Sequence, residues 1–221
     1  MIYVTGDTHG DITRFKQKEI KKLKKGDTLI VCGDFGFIWD GSKKETKMLK
    51  WLSKQKYQIL FVDGCNENYQ LLEKYETSEW NGGQVQIIAD GIIHLLRGEI
   101  YQIEGKSIFT FGGGDAAQLI DLPEEFSTQG REQPTVKETS NGLENLQAHQ
   151  NKVDIIITHD APTKITQAMN VEENGISFIQ NYLDVIRKQA TFKAWYYGKY
   201  HKNKIIPPYY YNVFTDVLKI E

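Results

Sequence analysis

The chain has 221 residues, a net charge of −2, and 40% hydrophobic and 25% charged side chains, the profile of a folded globular protein. No apolar run approaches the ~20 residues that span a bilayer, and the opening Met1-Ile-Tyr-Val-Thr-Gly has no basic stretch or cleavage motif, so neither a membrane anchor nor an export signal is expected. Two cysteines, Cys32 and Cys65, are too few for a disulfide framework and suit a reducing, cytoplasmic setting.

The first third reads as strand, loop and helix three times. Met1 to Gly6 is a short β-rich run ending on glycine, and residues 11–24 place Ile12, Phe15, Ile20 and Leu23 at helical spacing among lysines. Thr28 to Gly33 and Gln58 to Asp63 are continuous apolar runs of the kind that form strands covered on both faces. Residues 43–54 and 68–75 are helix candidates after them. Such alternation predicts right-handed crossovers in a parallel or mixed sheet.

The period then shortens. Gln86 to Ile88, Ile92 to Arg97, Glu99 to Ile103 and Ser107 to Phe111 are short strands separated by glycine turns, which predicts hairpins that extend the sheet or form a second one. Residues 112–140 are polar and aperiodic, a long loop or lid. A short helix over 142–151, a strand over Val153–Thr158, a helix over 175–188 and a strand over Lys193–Tyr197 follow. The aromatic tail, Tyr209 to Ile220, adds one or two strands. No repeat is present, and residues 1–221 are expected to form a single domain.

Four segments share one design, in which an apolar strand runs into a small residue and then a ligand-type side chain. They are Val4-Thr-Gly-Asp7-Thr-His9, Val31-Cys-Gly-Asp34, Ile157-Thr-His159-Asp160 and Tyr197-Gly-Lys-Tyr-His201. Sites in α/β sheets gather beyond the carboxyl ends of the strands, so these side chains are expected to converge. Imidazoles and carboxylates together suit Zn, Mn or Fe. The other two histidines, His94 and His149, fall in a strand and a helix and read as surface or structural residues.

Charge is uneven. Residues 14–56 hold 13 Lys/Arg against 5 Asp/Glu, a local +8. That lobe either steers anionic substrates or coats the wet faces of two helices. No interleaving of aromatic and basic residues along the chain points to strand binding, so nucleic acid is the less favoured partner.

These motifs resemble the calcineurin-like metallophosphoesterases, whose pattern runs Asp-x-His, Gly-Asp, Gly-Asn-His-(Asp/Glu), His and Gly-His-x-His. The similarity is greatest to a bacterial and phage branch, through Val4 to Asp11, Val31 to Gly36, Phe61 to Asn68, Trp80 to Gly83, His94 to Gly98 and Gly198 to His201. It implies an α/β fold, a two-layer sandwich of mixed sheets flanked by helices. It also implies divalent transition metals (Mn, Zn, Fe or Ni, one or two ions) at the strand ends, activating water and clamping phosphate. Asp7, His9, Asp34 and His201 match the ligands of the first metal. Asp34 also matches the bridging carboxylate, and His159 a ligand of the second metal.

Two departures from the family pattern stand out. Gly64-Cys65-Asn66-Glu67-Asn68 aligns without gaps on Gly-Asn-His-Glu-Asn. Cys65 then replaces a second-metal ligand, and Asn66 replaces the histidine that protonates the leaving group or binds phosphate. A one-residue shift would keep Asn66 as a ligand but break the match at Glu67, Asn68 and Tyr69. Lys199 stands where the family has another second-metal histidine, and an ammonium has no lone pair to give. Cys65 remains a possible thiolate ligand, and Lys199 a positive charge in the vacated position.

The expected function is metal-dependent hydrolysis of a phosphomonoester, phosphodiester or nucleotide, with Asp34, Asn66 and Lys199 at the chemistry. The alternative is a lapsed member that binds a phosphorylated small molecule or nucleotide without cleaving it. The sequence does not indicate an oligomeric state.

Overall fold

The computed structural model describes residues 1–115, 130–171 and 177–221. The 13 strands among these described residues form two sheets. The first takes β1 (Ile2–Thr5), β2 (Thr28–Cys32), β3 (Gln58–Val62), β4 (Thr77–Trp80), β5 (Gly83–Ala89), β6 (Ile92–Leu95) and β13 (Leu218–Lys219), ordered β13-β1-β2-β3-β6-β5-β4. The second takes β7 (Glu99–Ile103), β8 (Lys106–Phe111), β9 (Ile155–Thr158), β10 (Ala194–Tyr197), β11 (Lys204–Ile206) and β12 (Tyr210–Asn212), ordered β11-β12-β10-β9-β8-β7. Each sheet has four parallel strands at its centre, β1, β2, β3 and β6 in one and β12, β10, β9 and β8 in the other, with antiparallel strands outside them.

The pleat explains why the central strands read as unbroken apolar runs. Along β2, Ile30 and Cys32 face the core between the sheets, while Leu29 and Val31 face the helical layer outside. β3 repeats this with Leu60 and Val62 inward and Ile59 and Phe61 outward. With both faces covered, every side chain in the run must be apolar. The outer layers are α1 (Lys18–Lys21), α2 (Lys43–Leu52) and α3 (Tyr69–Leu72) on the first sheet, and α4 (Val136–Ala148), α5 (Thr163–Ala168) and α6 (Phe178–Gln189) on the second. The architecture is the expected one, two mixed sheets flanked by helices. No described helix is long and apolar enough to cross a membrane.

Several elements differ from expectation. Residues 11–24 form a 3-10 turn (Arg14–Lys16) and the single turn of α1, broken at Gln17 by extended backbone (ψ 151°). The buried Arg14 guanidinium donates to the carbonyls of Asp7 (2.9 Å), Gly6 (3.2 Å) and Phe214, which ties this turn to the strand-end loops. The stretch 112–140 is not loop throughout, because α4 begins at Val136. Thr135 caps it reciprocally with Glu138, a Thr-x-x-Glu box that marks a helix start. Residues 116–129 of the expected lid, and residues 175 and 176 of the expected helix 175–188, lie outside the described residues. β4, β11 and α5 were not expected. Between β4 and β5, Trp80 pairs with Gly83 across Asn81 (φ 50°) and Gly82 (φ 95°), the two left-handed residues of a type I′ hairpin.

Candidate metal centre

The four strand-end motifs meet where the sandwich opens. Asp7 and His9 follow β1 and Asp34 follows β2, all from the first sheet; His159 follows β9 and His201 follows β10, from the second. Asp7, His9, Asp34 and His201 each offer a ligand atom within 4.8 Å of the others. His9 Nε2 and His201 Nε2 are 3.0 Å apart, and His201 Nε2 is 3.1 Å from Asp7 Oδ2. His9 Nε2 is 3.8 Å from Asp34 Oδ2.

The small residues in the motifs make room for this convergence. A Cβ on Gly33 would lie 2.0 Å from His159 Nδ1, one on Gly64 2.0 Å from Asp34 Oδ1, and one on Gly198 2.2 Å from Asp7 Oδ1. Each glycine thus admits a ligand carried by a different segment. The backbone is also held in an uncommon form: His9 (φ 46°), Asp34 (φ 47°), Lys199 (φ 60°) and His201 (φ 48°) are all left-handed. Non-glycine residues adopt it at a cost of order 1–3 kcal/mol each and tend to cluster at functional sites.

Electrostatics binds the group together. Burial alone would push the Asp7 carboxyl up, but the His159 and His201 rings more than offset it and hold Asp7 well below the usual carboxylate range. The Asp7 carboxylate, 3.1 Å from its Nε2, raises His201 above an ordinary histidine. His159 is fully buried, which disfavours its charged form, yet Asp34, Cys65 and Asp7 raise it well above the ordinary value.

The residues present fit a divalent cation. Asp7 Oδ2 is buried and has no hydrogen-bond partner, despite its closeness to His201. Two imidazole nitrogens facing at 3.0 Å can share one proton, whereas a cation accepts both lone pairs. Two carboxylates and two imidazoles form a donor set suited to transition-metal ions. Bound there, such a cation supplies Lewis-acid polarisation of a phosphoryl oxygen and lowers the pKa of a water.

His159 stands beside this group. Its Nδ1 lies 3.0 Å from the Cys32 carbonyl, bridging the two sheets, and its buried Nε2 has no hydrogen-bond partner, 3.6 Å from Asp34 Oδ1. No further convergent group of three ligand-type side chains includes His159 or Cys65 among the described residues. Cys65 Sγ contacts the Asp115 carbonyl at 3.6 Å, and burial pushes its thiol up, with His159 and Lys199 pulling the other way. Asn66 is committed to Asp34, its amide donating to Oδ2 at 2.6 Å and its backbone N–H to Oδ1 at 2.7 Å. Lys199 Nζ is ion-paired with Asp160 Oδ2.

Sequence reasoning missed several supporting residues. Asp160 has no role in the motif reading, yet it is completely buried and also accepts from the Tyr200 hydroxyl and the Ala161 N–H. Glu67 accepts from the Phe35 N–H (2.7 Å) and the Gly36 N–H (3.3 Å), bracing the loop after Asp34. Asp63 receives Arg97 Nε (2.9 Å) and Tyr69 Oη (3.0 Å), with His94 Nε2 3.2 Å away. His94 is therefore structural, and the exposed His149 caps α4 through the Asn145 carbonyl.

The family model of calcineurin-like phosphoesterases matches residues 1–203. The chain belongs to that family. It is a hydrolase of phosphate esters, and the convergent Asp7, His9, Asp34 and His201 supply the candidate metal-binding group that a metallophosphoesterase requires. No curated protein matches the chain.

Proposed function

We propose that this metallophosphoesterase works with one transition-metal ion, held by Asp7, His9, Asp34 and His201, and with Lys199 in the place of a second. The observation that carries the reading is the unequal state of the two half-sites. Four ligand atoms converge within 4.8 Å on one side, while the other offers His159 and the ion-paired Lys199. Lys199 is raised above its ordinary pKa, since Asp160 outweighs the burial that favours the neutral amine. It therefore stays cationic at neutral pH. In this reading Lys199 binds a phosphate oxygen, and Asn66 orients Asp34 and donates to the ester. The Asn66 amide is not a general acid, so activated phosphodiesters are better substrates than alkyl phosphomonoesters.

The test combines elemental analysis with hydrolysis of an aryl phosphodiester in Mn, Zn, Fe and Ni. One metal per chain and a turnover abolished by Asp34→Asn are expected. Zero turnover across all four metals would sink the hydrolytic reading.

A second reading, binding without cleavage, is favoured by the Asn66 amide on Asp34 Oδ2, which competes with a metal for that oxygen. It predicts measurable calorimetric affinity for nucleotides in the absence of any turnover.

A further inference from the structure

A groove leads away from the metal ligands along one face of α2. Its first part, a cleft of ≈ 430 Å³, runs from His9 and Asn66 past Trp39 to Lys44 and Met48. Its second part, ≈ 350 Å³, shares Lys44 and Met48 and continues past Lys47 and Trp51 to Lys16. Lys44, Lys47, Met48 and Trp51 are spaced i, i+3, i+4 and i+7, so they share one helical face. That face extends about 10 Å at 1.5 Å per residue.

The groove is cationic over an apolar floor. Lys16, Lys44 and Lys47 are exposed, and Lys16 Nζ lies 5.7 Å from the centre of the Trp51 ring. Glu45, which also lines the first cleft, is buried and holds its carboxylate on the N–H groups of Trp39 (2.6 Å), Asp40 (2.7 Å) and Gly41 (3.2 Å). Asp40 is the exposed acidic group of that cleft. The far wall is tied to the metal site, since the turn that carries Lys16 is anchored by Arg14 to the Asp7 carbonyl.

We propose that this groove holds the part of a single-stranded oligonucleotide that extends beyond the scissile phosphate. Phosphates would lie on Lys44, Lys47 and Lys16, and bases against Met48 and the two tryptophans. Basic side chains that track a backbone beside aromatic side chains that stack bases are the means by which single strands are held. Two neighbouring, ligand-sized clefts that share Lys44 and Met48 suit linked nucleotide units, whereas a duplex is gripped across a broader face. The alternation is absent along the chain because Lys16, Trp39 and α2 come from separate segments. The inference rests on the metal group being a phosphoester site.

The test is fluorescence anisotropy with phosphorothioate oligothymidylates of one to six nucleotides and the full chain in Mn. Affinity is expected to rise with length up to about three or four nucleotides and then level off. Its slope in log salt should be about −2, three phosphates at roughly −0.7 each on a single strand. The triple variant Lys16→Ala, Lys44→Ala, Lys47→Ala should lose about tenfold or more and flatten that slope. The charge-reversing pair Lys44→Glu, Lys47→Glu should lose more. Length-independent affinity, unchanged affinity in both variants, or tighter binding of a duplex of equal length would overturn the inference. Aryl phosphodiester hydrolysis is read in parallel. Strand binding without it would overturn the hydrolytic reading and keep the groove, whereas hydrolysis without strand binding would overturn the groove.

Discussion

Lys199 and Asp160 form an ion pair at the strand ends, between a lysine whose side chain is 17% exposed and a carboxylate with no exposed surface. Removing one partner of a buried pair strands the other charge, which typically costs about 3–5 kcal/mol. Lys199→Met is therefore expected to lower stability by about 3 kcal/mol, the low end because Tyr200 and the Ala161 N–H still serve Asp160. Adding Asp160→Asn should restore more than half of the loss in urea unfolding. Additive losses in the double variant would show that the pair contributes nothing of its own.

The same lysine is expected to set metal stoichiometry. Lys199→His combined with Cys65→Asn returns two lone-pair donors beside His159 Nε2, which is buried without a partner. Elemental analysis should then rise from one metal per chain to two. A count that stays at one in this variant would refute the view that Lys199 occupies a metal position.

Asn66→His tests whether a proton donor at position 66 speeds hydrolysis. General acid catalysis is worth about 10²- to 10⁴-fold, and most for leaving groups that cannot depart as anions. The substitution should raise turnover of an alkyl phosphomonoester by about 10² while changing a nitrophenyl diester far less. An equal change for both substrates would mean that position 66 acts only through the position of Asp34.

The strand-end motifs were legible because each ligand-type side chain follows an apolar run, and parallel strands deliver their ends to one edge. Asp7, His9, Asp34, His159 and His201 could be placed from that pattern. The partners of Lys199 and Asn66 could not. Lys199 meets Asp160 across 39 positions and Asn66 meets Asp34 across 32, separations with no local signal. Residues 11–24 misled because Ile12 and Phe15, and again Ile20 and Leu23, are apolar and three apart, while Gln17 between the pairs is extended and Arg14 reaches the strand-end carbonyls. β4 escaped notice as Thr-Ser-Glu-Trp, an edge strand with no fully buried residue. The start of α4 at Thr135 was readable from its capping box with Glu138, but the polar composition around it masked the signal.

Gly64→Ala should uncouple folding from metal binding. Its Cβ would lie 2.0 Å from Asp34 Oδ1 and 2.3 Å from the Asp34 backbone N, so the carboxylate and its left-handed backbone must move together. A misplacement of about 1 Å at a site can cost 10² in rate. The variant is expected to keep its far-UV circular dichroism, bind Mn at least tenfold more weakly and lose most turnover. Wild-type metal affinity would show that the loop after β3 can retreat without disturbing Asp34.

Burial would push the Asp63 carboxyl up, but Arg97 and His94 outweigh it and hold Asp63 far below the usual carboxylate range. A depressed folded-state pKa contributes stability above the unfolded value, ~4 for aspartate, and that contribution is lost as pH falls below it. Arg97→Met should cost about 3–5 kcal/mol at pH 7, where Asp63 becomes an unpaired buried charge. The gap from wild type should narrow as pH drops from 5 to 2.5, because wild type is losing a contribution that the variant never had. It should not close, since Arg97 also donates to the Arg131 carbonyl at 2.9 Å and the Gln133 carbonyl at 3.2 Å, contacts that do not titrate. Urea unfolding at pH 7, 4 and 2.5 measures the gap directly. A constant or widening difference would mean that Arg97 acts through those carbonyls and that its charge on Asp63 is immaterial.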